Sequence, residues 1–259
     1  MIHIYSTSRG KAIKPHFIES AQNEKIEFKF EVCPGAPIAT ITNHIESDIA
    51  NQTIKPNSTI YIIAGITNFT NRLKDFNKKY EEVVFIGKEE ERKDNIIRKY
   101  QHLSDIITIH NCKLSIATIA PSNIHKWNTT RLSQNKTSTL HYINQYPDMQ
   151  KKIHETVKAT NQEIVGLNKE NHMYTLFLDK EIITTYKRRS SLVPSYNYSY
   201  IDLPDGVLAN TKLGKIWAHK LIKTIKKNQS QSPNTFQDNT HLKINNSVHM
   251  GSPKRSWRP

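Results

Sequence analysis

Asp205-Gly206-Val207-Leu208-Ala209-Asn210 is the stretch around which this chain organises itself. Asp-Gly is a turn pair, because the carboxylate bonds to the backbone just downstream while glycine takes angles closed to other residues. Asn210 then stands as a helix N-cap. Thr211 to Lys227 carries Leu213, Ile216, Trp217, Leu221 and Ile225 on one face and Lys212, Lys215, Lys220, Lys223, Lys226 and Lys227 on the other. Such a helix must cover something apolar.

The strands it would cover lie upstream. Short β-type runs alternate with helix-type segments up to about residue 230, the pattern of a parallel sheet clothed by helices. Ile2 to Tyr5 begins it, and Ile26 to Cys33 alternates apolar and polar as an edge strand does before Pro34-Gly35 ends it. Ile38 to Ala50 places Ile41, Ile45 and Ile49 on one helical face. Ser58 to Ala64 is apolar on both faces and reads as a buried central strand, and Val83 to Ile86 is a shorter run of that kind. Glu89 to Asn111 and Met149 to Leu167 have helical spacing, and Lys113 to Ala120 between them reads as a strand. No internal repeat is visible.

Four short blocks fall at the ends of these runs: Tyr5-Ser6-Thr7-Ser8-Arg9-Gly10, Pro34-Gly35-Ala36, Gly65-Ile66-Thr67-Asn68 and Asp205 to Asn210. Their order and spacing resemble the SGNH/GDSL hydrolases, including the type carried by animal mobile elements, over residues 1 to about 227. The resemblance implies a three-layer α/β sandwich with a central parallel sheet, flavodoxin-like in plan. It also implies ester or acyl hydrolysis by a serine nucleophile.

The blocks depart from the family pattern where the chemistry lies. The family usually reads Asp-Gly-Val-His-Pro-Asn in the last block, with the His taking the nucleophile's proton and the Asp orienting the His. Here Asp205 remains and Leu208 stands for the His, and leucine moves no proton. The first block keeps Arg9-Gly10 but lacks the usual Gly-Asp-Ser, so either Ser8 or Ser6 would be the nucleophile. Gly35 would offer its N–H to the oxyanion, Thr67 would replace the family's amide donor and Asn68 its Asp. Each block also has a plain structural reading: turn serines, a strand-ending glycine, Thr67 or Asn68 capping a helix at Asn71-Arg72-Leu73, and Asn210 capping the last helix. Asp238-Asn239-Thr240-His241 repeats the Asp-x-x-His spacing, but with no helix after it.

Composition adds a second direction. The chain has 259 residues, 36% of them hydrophobic, and a formal net charge of +14. A core of one domain over 1–228 fits, with the Asn-, Ser- and Gln-rich 229–259 as a disordered basic tail. The positive charge favours polyanions such as RNA or DNA. Lys187-Arg188-Arg189 beside Tyr196, Tyr198 and Tyr200, and Lys254, Arg255 and Arg258 beside Trp257, join cations to stacking surface. The tyrosines pack equally well under a sheet edge.

Cys33 and Cys112 are too few for a disulfide framework. The histidines are scattered without metal-ligand spacing, and no phosphate-binding glycine loop occurs, so neither a metal nor a cofactor is expected. With no signal-like or membrane-spanning run, the chain reads as intracellular, cytoplasmic or nuclear. Asn57, Asn68 and Asn128 head glycosylation triplets that arise by chance in an Asn-rich chain. The expectation is a diverged SGNH hydrolase-like protein that lacks the usual esterase chemistry and acts by binding. A nucleic-acid-binding protein and an acyl hydrolase with a replaced base are the competing readings.

Overall fold

The computed structural model describes residues 1–75, 80–85, 88–134, 140–186 and 195–230. Four strands, β1 (Ile2–Ser6), β2 (Phe28–Val32), β3 (Thr59–Ile63) and β6 (Lys113–Ile116), form a parallel sheet in the order β2-β1-β3-β6. Ile4 pairs with Phe30 on one side and Tyr61 on the other. Because side chains alternate across a strand, the sheet feeds two cores. Ile2, Ile4, Phe30, Tyr61 and Ile63 pack with α1 (Gly10–Asn23) and α6 (Thr211–Gln229), where Phe17, Trp217 and Leu221 are buried. Tyr5, Ile60 and Ile62 pack on the other face with α2 (Ile38–Ala50), α3 (Glu89–Ile109) and α5 (Tyr146–Glu170). Burying each large apolar side chain contributes about 1.5–3 kcal/mol. Three layers are the result, as the sequence pattern implies.

Two hairpins lie outside this sheet. β4 (Asn71–Asp75) and β5 (Tyr80–Val84) are antiparallel, and so are β7 (Ile183–Tyr186) and β8 (Ser195–Tyr198). The run at Val83 therefore belongs to a hairpin and not to the central sheet, and Asn71-Arg72-Leu73 is strand where a capped helix was expected. An apolar run reports burial without naming its partner. β6 also ends earlier than its apolar run, at Ile116.

Beyond the regular pairing, asparagine side chains complete the ladder. Asn168 of α5 accepts from Ile116 N at 2.8 Å and donates to Ile116 O at 2.7 Å. Asn161, one heptad earlier, does the same for Ile119 at 2.7 and 3.0 Å. Asn128 of α4 (Ile124–Ser133) serves Val83 of β5 at 2.9 and 2.8 Å. Each carboxamide presents an N–H and a carbonyl oxygen side by side, as a peptide group does, and so satisfies buried backbone that no strand reaches. The lysine-lined face of α6 is partly neutralised: Lys212 pairs with Asp202 at 3.5 Å, Lys226 with Glu24 at 2.6 Å, and Lys220 with Glu181.

Candidate active site

The sheet order reverses between β1 and β3, and in open α/β sheets ligands bind beyond the strand ends at that point. A cavity of about 160 Å³ lies there. Thr7, Ser8 and Arg9 reach it from the end of β1, Gly35 from β2, Ile66 and Thr67 from β3, Ser122 and Trp127 from beyond β6, and Leu208 from the turn before α6. A larger groove of about 710 Å³ beside Glu89 and Lys152 shares none of these residues and mixes charged side chains such as Glu89, Lys152 and Glu155 with apolar ones such as Val84, Phe85 and Met149. The smaller cavity has the convergent backbone and hydroxyl groups, so it is the candidate site.

The two serines have different positions. Ser6 is fully buried and donates to Ile63 O at 3.2 Å. Gly10 seals it, since a Cβ at that position would lie 2.6 Å from Ser6 Cβ, which explains the glycine after Arg9. Ser8 is half-buried on the cavity wall, and its Oγ accepts from Gly35 N at 3.1 Å. Gly35 has φ of 73°, open to glycine at little cost, and that conformation turns its N–H toward the serine.

Thr67 also lines the cavity, but its hydroxyl donates to Ala36 O at 2.8 Å. Asn68 accepts from Ile38 N at 2.9 Å. It therefore caps α2, across the loop, and not the segment that follows it in sequence. Asp205 Oδ1 accepts from Val207 N at 2.8 Å and Leu208 N at 2.6 Å, fixing the turn that carries Leu208 to the cavity. Asn210 caps α6 by accepting from Leu213 N at 2.9 Å.

Arg9 braces these blocks against each other. Nε donates to Val207 O at 3.2 Å, Nη1 to Ala120 O, and Nη2 to Pro121 O at 3.1 Å and Ser122 Oγ at 3.4 Å. The guanidinium lies 6.0 Å from the centre of the Trp217 ring. Burial without a carboxylate partner pulls its pKa down to about 10. The sequence marks Arg9 only as a kept member of the first block; its three carbonyl partners are over a hundred residues away.

Among the described residues, none that lines the cavity is a histidine. His16 of α1 shares a neighbouring groove with Ser8 and Leu208. His3 is buried within β1 with neither ring nitrogen bonded among the described residues, His125 packs edge-on to Tyr146, and His219 is exposed on α6. His154 lies between Tyr198 and Tyr200, with Nε2 2.5 Å from Tyr200 OH and 2.7 Å from Gln150 Nε2. Gln150 in turn donates to Ser122 O at 2.7 Å. Burial lowers His154 to about 4, so the ring is neutral at pH 7. Tyr198 and Tyr200 thus pack on the protein's own histidine. Lys187, Arg188, Arg189, Lys254, Arg255, Arg258 and His241 lie outside the described residues.

One set of histidine contacts departs from the expectation of scattered residues. α2 folds over the end of β2 and brings His44 to Glu31 and Cys33. Sequence spacing missed it because the three side chains come from two segments related only by packing.

No protein-family model and no curated protein matches this chain. Solved structures do. A candidate acylhydrolase from Bacteroides fragilis is 10% identical, with a TM-score of 0.54 over 87% of this chain and 86% of its own. A GDSL-like lipase from Bacteroides thetaiotaomicron is 9% identical, with a TM-score of 0.52 over 87% of each chain. A candidate lipolytic protein of the G-D-S-L family from Desulfitobacterium hafniense is 9% identical, with a TM-score of 0.52 over 86% of this chain and 98% of that one. The fold is that of the SGNH/GDSL hydrolases. No helix among the described residues is long and apolar enough to cross a membrane.

Proposed function

We propose that this is a diverged SGNH hydrolase-like protein, of the mobile-element or viral type, that has lost Ser-His-Asp esterase chemistry and keeps the cavity for binding. The observation that carries the reading is Leu208. It lines the same cavity as Ser8, on the turn held by Asp205, where a general base would have to stand. A serine hydroxyl without a base in hydrogen-bond reach is a weak nucleophile.

The cavity suits a small ligand with a polar and an apolar end. The Ser8 hydroxyl provides a polar contact with cationic Lys11 and Arg72 nearby, while Ile66, Ile124, Trp127 and Leu208 provide apolar wall. Drug-sized sites occupy about 300–1,000 Å³, so some 160 Å³ takes a short acyl group or the end of a longer one.

Turnover of p-nitrophenyl acetate tests the loss of chemistry. The expected rate equals that of the Ser8→Ala variant. A rate that falls in Ser8→Ala would instead favour an active acyl hydrolase with a replaced base.

Nucleic-acid binding is a second reading, favoured by the formal net charge of +14. Retention of a single-stranded oligonucleotide, weakening steeply as salt rises, is its signature. Absent or salt-insensitive retention would remove it.

A further inference from the structure

Glu31 and Cys33 lie two residues apart at the end of β2, and such residues share a face of the strand. His44 of α2 meets them there. Its Nδ1 is 3.2 Å from Glu31 Oε1 and 3.5 Å from Cys33 Sγ, and Sγ is 3.9 Å from Oε1. Thiol and carboxylate approach the same ring nitrogen. A nucleophilic relay needs its two partners on opposite nitrogens of the imidazole, so this is not a Cys-His-Glu triad.

Three donors around one point have the geometry of a cation site. With Zn–N and Zn–O bonds near 2.1 Å and Zn–S near 2.3 Å, tetrahedral coordination puts neighbouring ligands about 3.4 Å (N···O) and about 3.6 Å (N···S and S···O) apart. The observed spacings are within about 0.3 Å of these before any metal draws them in. A sulfur, nitrogen and oxygen set selects zinc over magnesium or calcium, which take oxygen ligands. The other carboxylate oxygen, Glu31 Oε2, faces Lys29 Nζ at 3.6 Å, and Lys29 is held by Asp48 at 2.9 Å. That outer contact orients the carboxylate and leaves Oε1 for the metal. The Glu31 and His44 side chains are 33% and 47% exposed, so water reaches a fourth position.

We propose that Glu31, Cys33 and His44 form a three-ligand zinc site with an open fourth position, clamping the end of β2 to α2. Gly35 follows Cys33 by two residues, so the clamp stiffens the loop whose N–H meets Ser8. The site does not depend on how the cavity functions.

Cobalt(II) added to the full chain after chelator treatment tests this. The expected result is one equivalent bound with a thiolate-to-cobalt charge-transfer band, displaced by one equivalent of zinc. Cys33→Ser abolishes the band, and His44→Ala and Glu31→Gln weaken binding about tenfold or more. Cys112→Ser leaves both unchanged. No band in the parent, a band surviving in Cys33→Ser, or unweakened binding in His44→Ala overturns the proposal. Circular dichroism confirms folding, and the half-exposed His44→Ala carries the test if Cys33→Ser does not fold.

Discussion

Leu208→His restores a proton acceptor to the candidate site and measures what the rest of it retains. Asp205 Oδ1 already holds the backbone N–H of Leu208 at 2.6 Å, and its second oxygen has no hydrogen bond among the described residues. An imidazole at 208 would therefore find its orienting carboxylate in place and Ser8 across the same cavity. A positioned general base contributes about 10²–10⁴-fold. The oxyanion side is incomplete: the Gly35 N–H points at Ser8 Oγ, whereas the Thr67 hydroxyl is engaged by Ala36 O. Loss of one such donor costs about 10²–10³-fold. Leu208→His should thus hydrolyse p-nitrophenyl acetate about 10²–10⁴ times faster than its own Ser8→Ala control, yet stay about 10²–10³ below a complete site. Adding Thr67→Asn should recover part of that deficit. Ser6→Ala in the same background should leave the rate unchanged, because Ser6 is sealed beneath Gly10. A folded Leu208→His protein no faster than its Ser8→Ala control would refute the reasoning.

Three further expectations concern stability. Arg9→Met removes a desolvated cation but leaves the buried carbonyls of Ala120 and Pro121 without a donor; a net loss of about 3 kcal/mol follows, or roughly 6–12 °C in Tm by calorimetry. Asn168→Leu strands both backbone groups of Ile116 and should cost about 2–4 kcal/mol in urea unfolding, more than Asn171→Leu. His154 is held near 4 in the fold against about 6.5 when unfolded. The unfolded chain takes the proton first, so stability is intact above pH 6.5, falls between 6.5 and about 4, and loses nothing more below. Allowing for the ring's partial exposure, that loss is about 1–2 kcal/mol, and His154→Gln should flatten it in urea titrations at pH 7 and pH 4.5.

What the sequence revealed follows from what periodicity measures. The Ile41, Ile45 and Ile49 stripe gives α2 with its bounds, and the unbroken apolar run at Thr59–Ile63 gives an interior strand, because burial on one face or two writes itself into spacing. The four blocks also predict which loops meet, and Ser8, Gly35, Thr67 and Leu208 do share one cavity. Pairing partners leave no such trace. Val83 could not announce a hairpin, Asn68 could not announce that it caps α2, and Arg9 could not announce carbonyls far along the chain. Glu31, Cys33 and His44 escaped for the same reason, since their convergence is made by packing.

The asparagines that finish the sheet work as a vernier. Seven helical residues from Asn161 to Asn168 advance about 10.5 Å and fall only about 20° short of two full turns. Three residues of extended chain, from Ile116 to Ile119, cover about 10 Å. Two scales of different pitch therefore coincide at two marks, and a single inserted residue between those asparagines would put one of them out of reach. Because α5 already occupies the hydrogen-bonding edge beside β6, the edge left without a strand or helix partner among the described residues is β2, the one that carries Glu31.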